Sequence, residues 1–204
     1  MARDTTPIVK RSRREGVALH PKAHKIMMRR KNTPGVQGGR RMGKPKQYGL
    51  QLREKQKVKR MYGLLERQFR RLIKEAERKV GITGEVLLQL LERRLDNVIY
   101  RLHIAPSRQA ARQLVTHGHI LLNDRRVNIP SIRVAVGDVI SIRPRSAQNV
   151  YFKDIQAILN DETPQLSWLS FNKAKLIAKV TGLPQREEVD PGISEQLIVE
   201  FYSR

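Results

Sequence analysis

Residues 1 to 80 carry 25 Lys/Arg against 6 Asp/Glu, a net of +19, whereas residues 81 to 204 carry 16 against 13, a net of +3. Like charge at that density repels itself and opposes compaction. The first part of the chain therefore points to a polyanionic partner, with nucleic acid ahead of an anionic membrane surface. Within it, residues 1 to 47 show no sustained period of 3.6 or 2, and Gly and Pro cluster after Lys31. Such a segment cannot bury enough apolar surface to offset its ordering entropy. It is expected to be a flexible basic arm that orders on its partner, with "GVQGG" at residues 35 to 39 as flexible chain.

From Tyr48 the pattern becomes helical. In "LLERQFRRLIKEAERKVG" the apolar residues Leu65, Phe69, Leu72, Ile73, Ala76 and Val80 recur at helical spacing, and Arg67, Arg70, Arg71, Lys74 and Arg78 cover the rest. "LQLREKQKVKRMY" predicts a preceding helix, with Gly63 as the break. A further helix is predicted from Thr83 through "VLLQLLERRLDNVIYRL". "SRQAARQLVTHG" predicts a short helix capped by Ser107 and ended by Gly118. If the apolar stripes of these last two pack together, Arg94, Arg101, Arg108 and Arg112 fall on a shared exposed surface. Beyond Gly118 the period shifts toward two. "HILLND" and "RVNI" flank an Asn123-Asp124 turn signal, "VAVGDVISIRP" follows, and "NVYFKDIQAILND" again predicts a helix. The remainder, through the terminal "EQLIVEFYSR", reads as loops and a few strands returning to the body.

The absence of cysteine excludes disulfides, thiolate nucleophiles and cysteine metal sites. No apolar run approaches the roughly 18 residues of a membrane span. The N-terminal residues lack the apolar stretch of a secretory signal, and their Gly, Pro and acidic residues argue against an organelle transit peptide, so a cytoplasmic, reducing compartment is expected. His117 and His119 flank Gly118, but the neighbouring residues are Asn123, Asp124 and arginines, and fixed positive charge disfavours a bound cation. Polar contacts at the end of a helix suit them better. His20 and His24 are separated by Pro21 with no acid nearby, which supplies no tetrahedral zinc site. A phosphate-cradling glycine loop with its lysine, a nucleophile elbow and a dinucleotide fingerprint are all missing, so an enzyme is not expected. Aromatic residues make up 5% of the chain, which argues against base stacking as the main mode. Phosphate contacts and recognition of folded RNA shape fit better.

Residues 93 to 142, "RRLDNVIYRLHIAPSRQAARQLVTHGHILLNDRRVNIPSIRVAVGDVISI", resemble the RNA-binding module named after the small-subunit ribosomal protein S-four family. That module also occurs in pseudouridine synthases and tyrosyl-tRNA synthetases, so alone it implies RNA binding. "LREKQKVKRMYGLLERQFRRL" at residues 52 to 72 and the terminal "EQLIVEFYSR" are similar to the ribosomal family itself. The resemblance implies a primary binder of small-subunit ribosomal RNA that nucleates assembly of the subunit body. It further implies contact with ribosomal protein S-five at an interface that influences decoding accuracy, and a place near the messenger RNA entry path. Many relatives bind zinc near the N-terminus through four cysteines. Val9 and Ser12 stand where the first pair would be, so no zinc, and no other cofactor, is expected.

These observations predict an α+β chain: a mostly helical N-terminal domain with an inserted small α/β RNA-binding module. The expected parts are a basic arm over 1–47, a helical domain over 48–92, the module over 93–156, and a C-terminal segment over 157–204 that returns to the helical domain. The candidate RNA-binding residues in the module are Arg94, Arg101, Arg108, Arg112, His117, His119, Asn123, Arg125 and Arg126. Lys55, Lys57, Arg60, Arg67, Arg70 and Arg71 join them from the helical domain. A free RNA chaperone or regulator is the rival reading, and a DNA compactor a distant third. If about six phosphates are neutralised, the logarithm of the affinity for a duplex should fall against the logarithm of salt with a slope of roughly −5. A filter-binding series over salt concentration checks this, and a flat response refutes an electrostatic mechanism.

Overall fold

The computed structural model describes residues 5–30, 32–35, 46–159 and 166–203. In chain order the elements are α1 (Ile8–Glu15), α2 (Pro21–Arg29), α3 (Gln47–Met61), α4 (Glu66–Glu77), α5 (Thr83–Glu92), α6 (Leu95–Arg101) and α7 (Arg108–Thr116). They continue with β1 (Ile120–Leu122), β2 (Arg125–Val127), β3 (Val139–Ile142), α8 (Pro144–Ala147), α9 (Val150–Ile158), β4 (Leu169–Asn172), β5 (Ile177–Val180) and α10 (Glu195–Tyr202). The chain is α+β, and it divides into two compact units, 1–88 with 190–204, and 89–189.

In the first unit, residues predicted as a flexible arm form α1 and α2. What the segment lacks in apolar surface it gains from partners on α3. Ser12, at a position where many relatives are expected to carry cysteine, is fully buried. Its hydroxyl donates to the Ile8 carbonyl at 2.9 Å and accepts from the Leu19 N–H at 3.2 Å, tying α1 to the loop that follows. The buried Glu15 carboxylate accepts from Arg53 at 3.2 Å and from Arg60, both on α3. Burial pushes the Glu15 pKa up, against the opposing pull of Arg53 and Arg60. Of the "GVQGG" stretch, all but Gly35 lies outside the described residues.

The apolar face predicted for α4 is real: Phe69, Leu72, Ile73 and Ala76 are buried. Val80 is fully exposed because the helix ends at Glu77. The C-terminal "EQLIVEFY" is a helix rather than a strand, and its core residue Ile198 is completely buried. Leu197, Ile198, Phe201 and Tyr202 recur at helical spacing, which satisfies one apolar stripe. Phe201 stacks on Tyr48 with ring centroids 5.7 Å apart, and Tyr202 lies 6.2 Å from Phe69.

In the second unit the long helix predicted from Thr83 breaks after Glu92. The pairing of residues 93–96 with residues 130–134 interrupts it: the Val134 N–H donates to the Arg93 carbonyl at 2.9 Å, Leu95 donates to Ile132 at 2.8 Å, and Arg94 bridges Arg133 in strand geometry. The strands form one antiparallel sheet in the order β2-β1-β3-β5-β4. Leu95, Val98, Ile99, Ala111 and Val115 from α6 and α7 share its core with Ile120, Ile140, Ala178 and Val180 from the strands. The segment after residue 156 was expected to return directly to the helical domain. Instead β4 and β5 complete this sheet, because Leu169, Ala178 and Val180 alternate inward with Ser170 and Lys179 outward.

The docking of α10 carries a pH dependence. Glu66 accepts from Lys55 at 2.7 Å, Lys59 at 2.8 Å and the Tyr202 hydroxyl at 2.7 Å. Burial alone would raise the Glu66 pKa, but these three hydrogen bonds outweigh it and hold the carboxyl at about 2. A folded-state pKa below the ordinary 4.5 adds stability that is present above that value and lost as pH falls toward 2. Thermal midpoints followed through that acid window should fall, and the fall should be shallower in Glu66→Gln.

Candidate nucleic-acid interface

The module's arginines are organised by two acids. Arg94, itself buried, donates through Nε and Nη2 to Asp96 at 3.1 and 2.8 Å, and Arg112 approaches the same carboxylate at 3.7 Å. Glu92 accepts both Nε and Nη2 of Arg101 at 2.8 Å, and also Nδ2 of Asn97 at 2.8 Å. Asn97 Oδ1 then accepts Arg108 Nε at 2.8 Å, and the Arg108 guanidinium lies 4.5 Å from the centre of the Tyr100 ring. The exposed arginine surface expected here is thus a buried polar network with a half-buried rim. Arg94 belongs to its interior, because the pairing of residues 93–96 with residues 130–134 draws it inward. Arg101, Arg108 and Arg112 form the rim, each with its guanidinium orientation set by a neighbour.

The β1–β2 connection is a two-residue turn with Asn123 and Asp124 both in the left-handed region, at φ 50° and 62°. Asn123 has internal partners for both ends of its amide: Nδ2 donates to Asp138 at 2.8 Å and Oδ1 accepts the Val139 N–H at 2.8 Å. It holds the hairpin. Arg125 and Arg126 are both exposed, but as successive strand residues they project to opposite faces. Val127 packs on the core, which places Arg125 on the core side at the sheet edge and Arg126, opposite Leu121, on the outer face. The pleat therefore keeps Arg125 and Arg126 from sharing one face with each other.

Gly118 ends α7 as its sequence predicts, with its own N–H bonded to Val115 and the His119 N–H to Leu114. His117 caps the helix and is exposed. His119 Nδ1 lies 2.9 Å from Ser146 Oγ, and its ring centroid lies 6.0 Å from that of Phe152. Burial first, then the charges of His117, Arg126 and Arg143, push the His119 pKa down, so it serves as a neutral polar group at neutral pH. His20 is the N-cap of α2, its Nδ1 accepting the Lys22 N–H at 3.1 Å. Among the described residues no group of three His, Asp or Glu is placed to hold a metal ion.

The six candidates in the first unit separate into two groups. Lys55 is buried, bound to Glu66 and 4.9 Å from the centre of the Phe201 ring; Lys57 pairs with Glu54 at 2.7 Å; Arg60 pairs with Glu15. Lys55 and Arg60 hold helices together, whereas Lys57 pairs within its own helix and donates to the Gly192 carbonyl at 2.5 Å. Arg67, Arg70 and Arg71 are exposed and line an open groove with Lys74, Glu75 and Arg78. Lys74 and Arg78 were legible as part of the basic helical face but were not among the candidates. Arg143 had no local signal, because it reaches His119 only through the pairing of β3 with β1.

The two groups of arginines should respond differently to truncation. Arg94→Ala leaves Asp96 buried without its bidentate partner and should lower the unfolding free energy by about 3 kcal/mol. Arg125→Ala, at an exposed sheet edge, should change it by less than about 0.5 kcal/mol. Denaturant titration of the two variants checks the contrast.

Two family models match the chain: the Ribosomal protein S4/S9 N-terminal domain over residues 3–92 and the S4 domain over residues 93–140. Their junction falls at the break between α5 and α6. Small ribosomal subunit protein uS4 of Chloroflexus aurantiacus is 52% identical over the whole of both chains. The proteins of the same name from Halothermothrix orenii and Herpetosiphon aurantiacus are 51% and 53% identical, again over the whole of both. With half of its residues shared from end to end, this chain belongs to the family of small ribosomal subunit protein uS4.

Proposed function

We propose that this chain is a structural, non-enzymatic component of the small ribosomal subunit that binds its ribosomal RNA. The observation that carries the reading is the exposed face of α4, where five cations line one groove with a single acid, in a chain that aligns throughout with uS4 proteins. From Arg67 to Arg78 that face runs along roughly 16 Å of helix. Cations fixed along such a face replace condensed counterions on successive phosphates, and the rigid helix selects backbones of matching shape. In the second unit Arg125, Arg126, His117 and the rim arginines Arg101, Arg108 and Arg112 supply further contacts.

Within the subunit, the chain nucleates assembly of the body, abuts ribosomal protein S-five and lies near the messenger RNA entry path, where it contributes to translational accuracy. These finer roles rest on the resemblance of residues 52–72 and of the C-terminal segment to the ribosomal family. The cytoplasm follows as its compartment. A free chaperone or regulator of RNA is the competing outcome.

Cosedimentation separates the two: the chain should stay on small subunits through a salt wash that strips loosely held basic proteins, and release by that wash supports the competitor. Converting Arg67, Arg70 and Arg71 together to alanine should make the salt slope shallower by about 2 to 2.7, at 0.7 to 0.9 per phosphate contact. Replacing His117 and His119 with alanine should weaken RNA binding while leaving metal content unchanged.

A further inference from the structure

Gly118 meets two separate demands. Its φ of 72° is left-handed, and the closing hydrogen bonds of α7 require that conformation. The second demand is space. A Cβ placed on Gly118 would stand 2.7 Å from Nη2 and 2.9 Å from Cζ of Arg126, with Nε closer still. Real Cβ atoms essentially never come within 3.0 Å of another heavy atom, so any side chain at position 118 moves the guanidinium. Gly137, also left-handed at φ 95°, has nothing within 4 Å of its would-be Cβ, so crowding is not a general property of the tight turns in this unit.

The location gives the contact a purpose. Arg126 pairs with Leu121 across the hairpin and reaches back along β1 to the corner where α7 ends. The carbonyl end of a helix carries partial negative charge, which favours a cation there. The charge of Arg126 is felt at His119, whose pKa it helps to lower, so His117, His119 and Arg126 occupy one corner. Among the described residues Arg126 has no acidic partner. An exposed arginine lying against a helix terminus has some orientations blocked by that neighbour, so it loses less side-chain freedom on binding than one surrounded by solvent.

We propose that Gly118 is a positioning residue for RNA binding: its missing side chain lets Arg126 lie against the end of α7, where the exposed guanidinium can meet a phosphate. This rests on the reading of the hairpin as part of the RNA interface. The consequence is that position 118 acts on affinity through Arg126 and not only through backbone strain.

The test is a double-mutant cycle with the full chain and small-subunit ribosomal RNA, binding being measured over a salt series. Arg126→Ala should weaken binding by roughly two- to fivefold, the range of one solvent-exposed charge pair, and make the salt slope shallower by about 0.7 to 0.9. Gly118→Asn keeps a residue type that tolerates the left-handed region, so it folds while crowding Arg126, and should reproduce both effects. Gly118→Asn added to Arg126→Ala should cause no further loss. Gly137→Ala reports strain alone and should lower the thermal midpoint without changing affinity.

The proposal is overturned if Gly118→Asn binds like the parent while Arg126→Ala is weakened. It is equally overturned if the Gly118→Asn loss persists in full in the Arg126→Ala background. Parental affinity in Arg126→Ala itself overturns both the proposal and the assignment of this hairpin to the RNA interface. In that case the α4 triple variant reports independently on whether the chain binds RNA by its basic faces at all.

Discussion

Four carboxylates decide where the positive charge of this protein goes. Glu15 holds Arg53 and Arg60, Glu66 holds Lys55 and Lys59, Glu92 holds Arg101, and Asp96 holds Arg94 and Arg112. In a chain with 41 Lys/Arg and 19 Asp/Glu, these pairs let helices rich in cations approach one another. Three of the four acids are buried, and a buried pair of this kind is costly to break, because the charge left behind has no water to replace its partner. The arrangement also sorts the cations by burial. Arg94 is drawn inside by its acid, Arg101 and Arg112 stay half-buried beside theirs, and the cations on the outer faces of α4 and the β1–β2 hairpin remain exposed.

The same network shapes the second unit. Asp96 lies on the first turn of α6, a helix that starts where residues 93–96 pair with residues 130–134. Asn97 passes the constraint on, accepting Arg108 from the next helix while donating to Glu92. At the other end of α7, Gly118 turns the chain into β1, and the Asn123-Asp124 turn returns it through β2, with Asn123 tied to Asp138. Hydrogen bonds thus tie the helix pair, the corner and the hairpin along this unit.

Much of this was legible in the residues. The apolar spacing of Phe69, Leu72, Ile73 and Ala76 fixed one face of α4 and left its arginines outward. Ser107 and Gly118 marked the ends of α7, and Asn123-Asp124 marked the hairpin, because each signal is local. What failed was whatever depended on a distant partner. Lys55 reads as a free cation until Phe201, Tyr202 and Glu66 enclose it. The helix predicted through Arg94 cannot be seen to break without Ile132 and Val134. Residues 5–30 look too polar to order, yet Ser12 and Glu15 find partners from the following loop and from α3. The helix at Glu195–Tyr202 differs, since its apolar spacing is present in the residues themselves.

By itself the sequence determined the charge excess and its concentration in the first 80 residues, the helical and strand periods, the turn positions and the likeness to a ribosomal family. Each of these is a property of composition or of neighbours a few residues apart. Tertiary structure alone decided which arginines are buried and which face outward. That choice depends on a distant acid for Arg53 and Arg60, on the distant rings of Phe201 and Tyr202 for Lys55, on the pleat for Arg125 and Arg126, and on the empty space above Gly118. Whether a cation is drawn into the fold depends on the partners that packing brings to it.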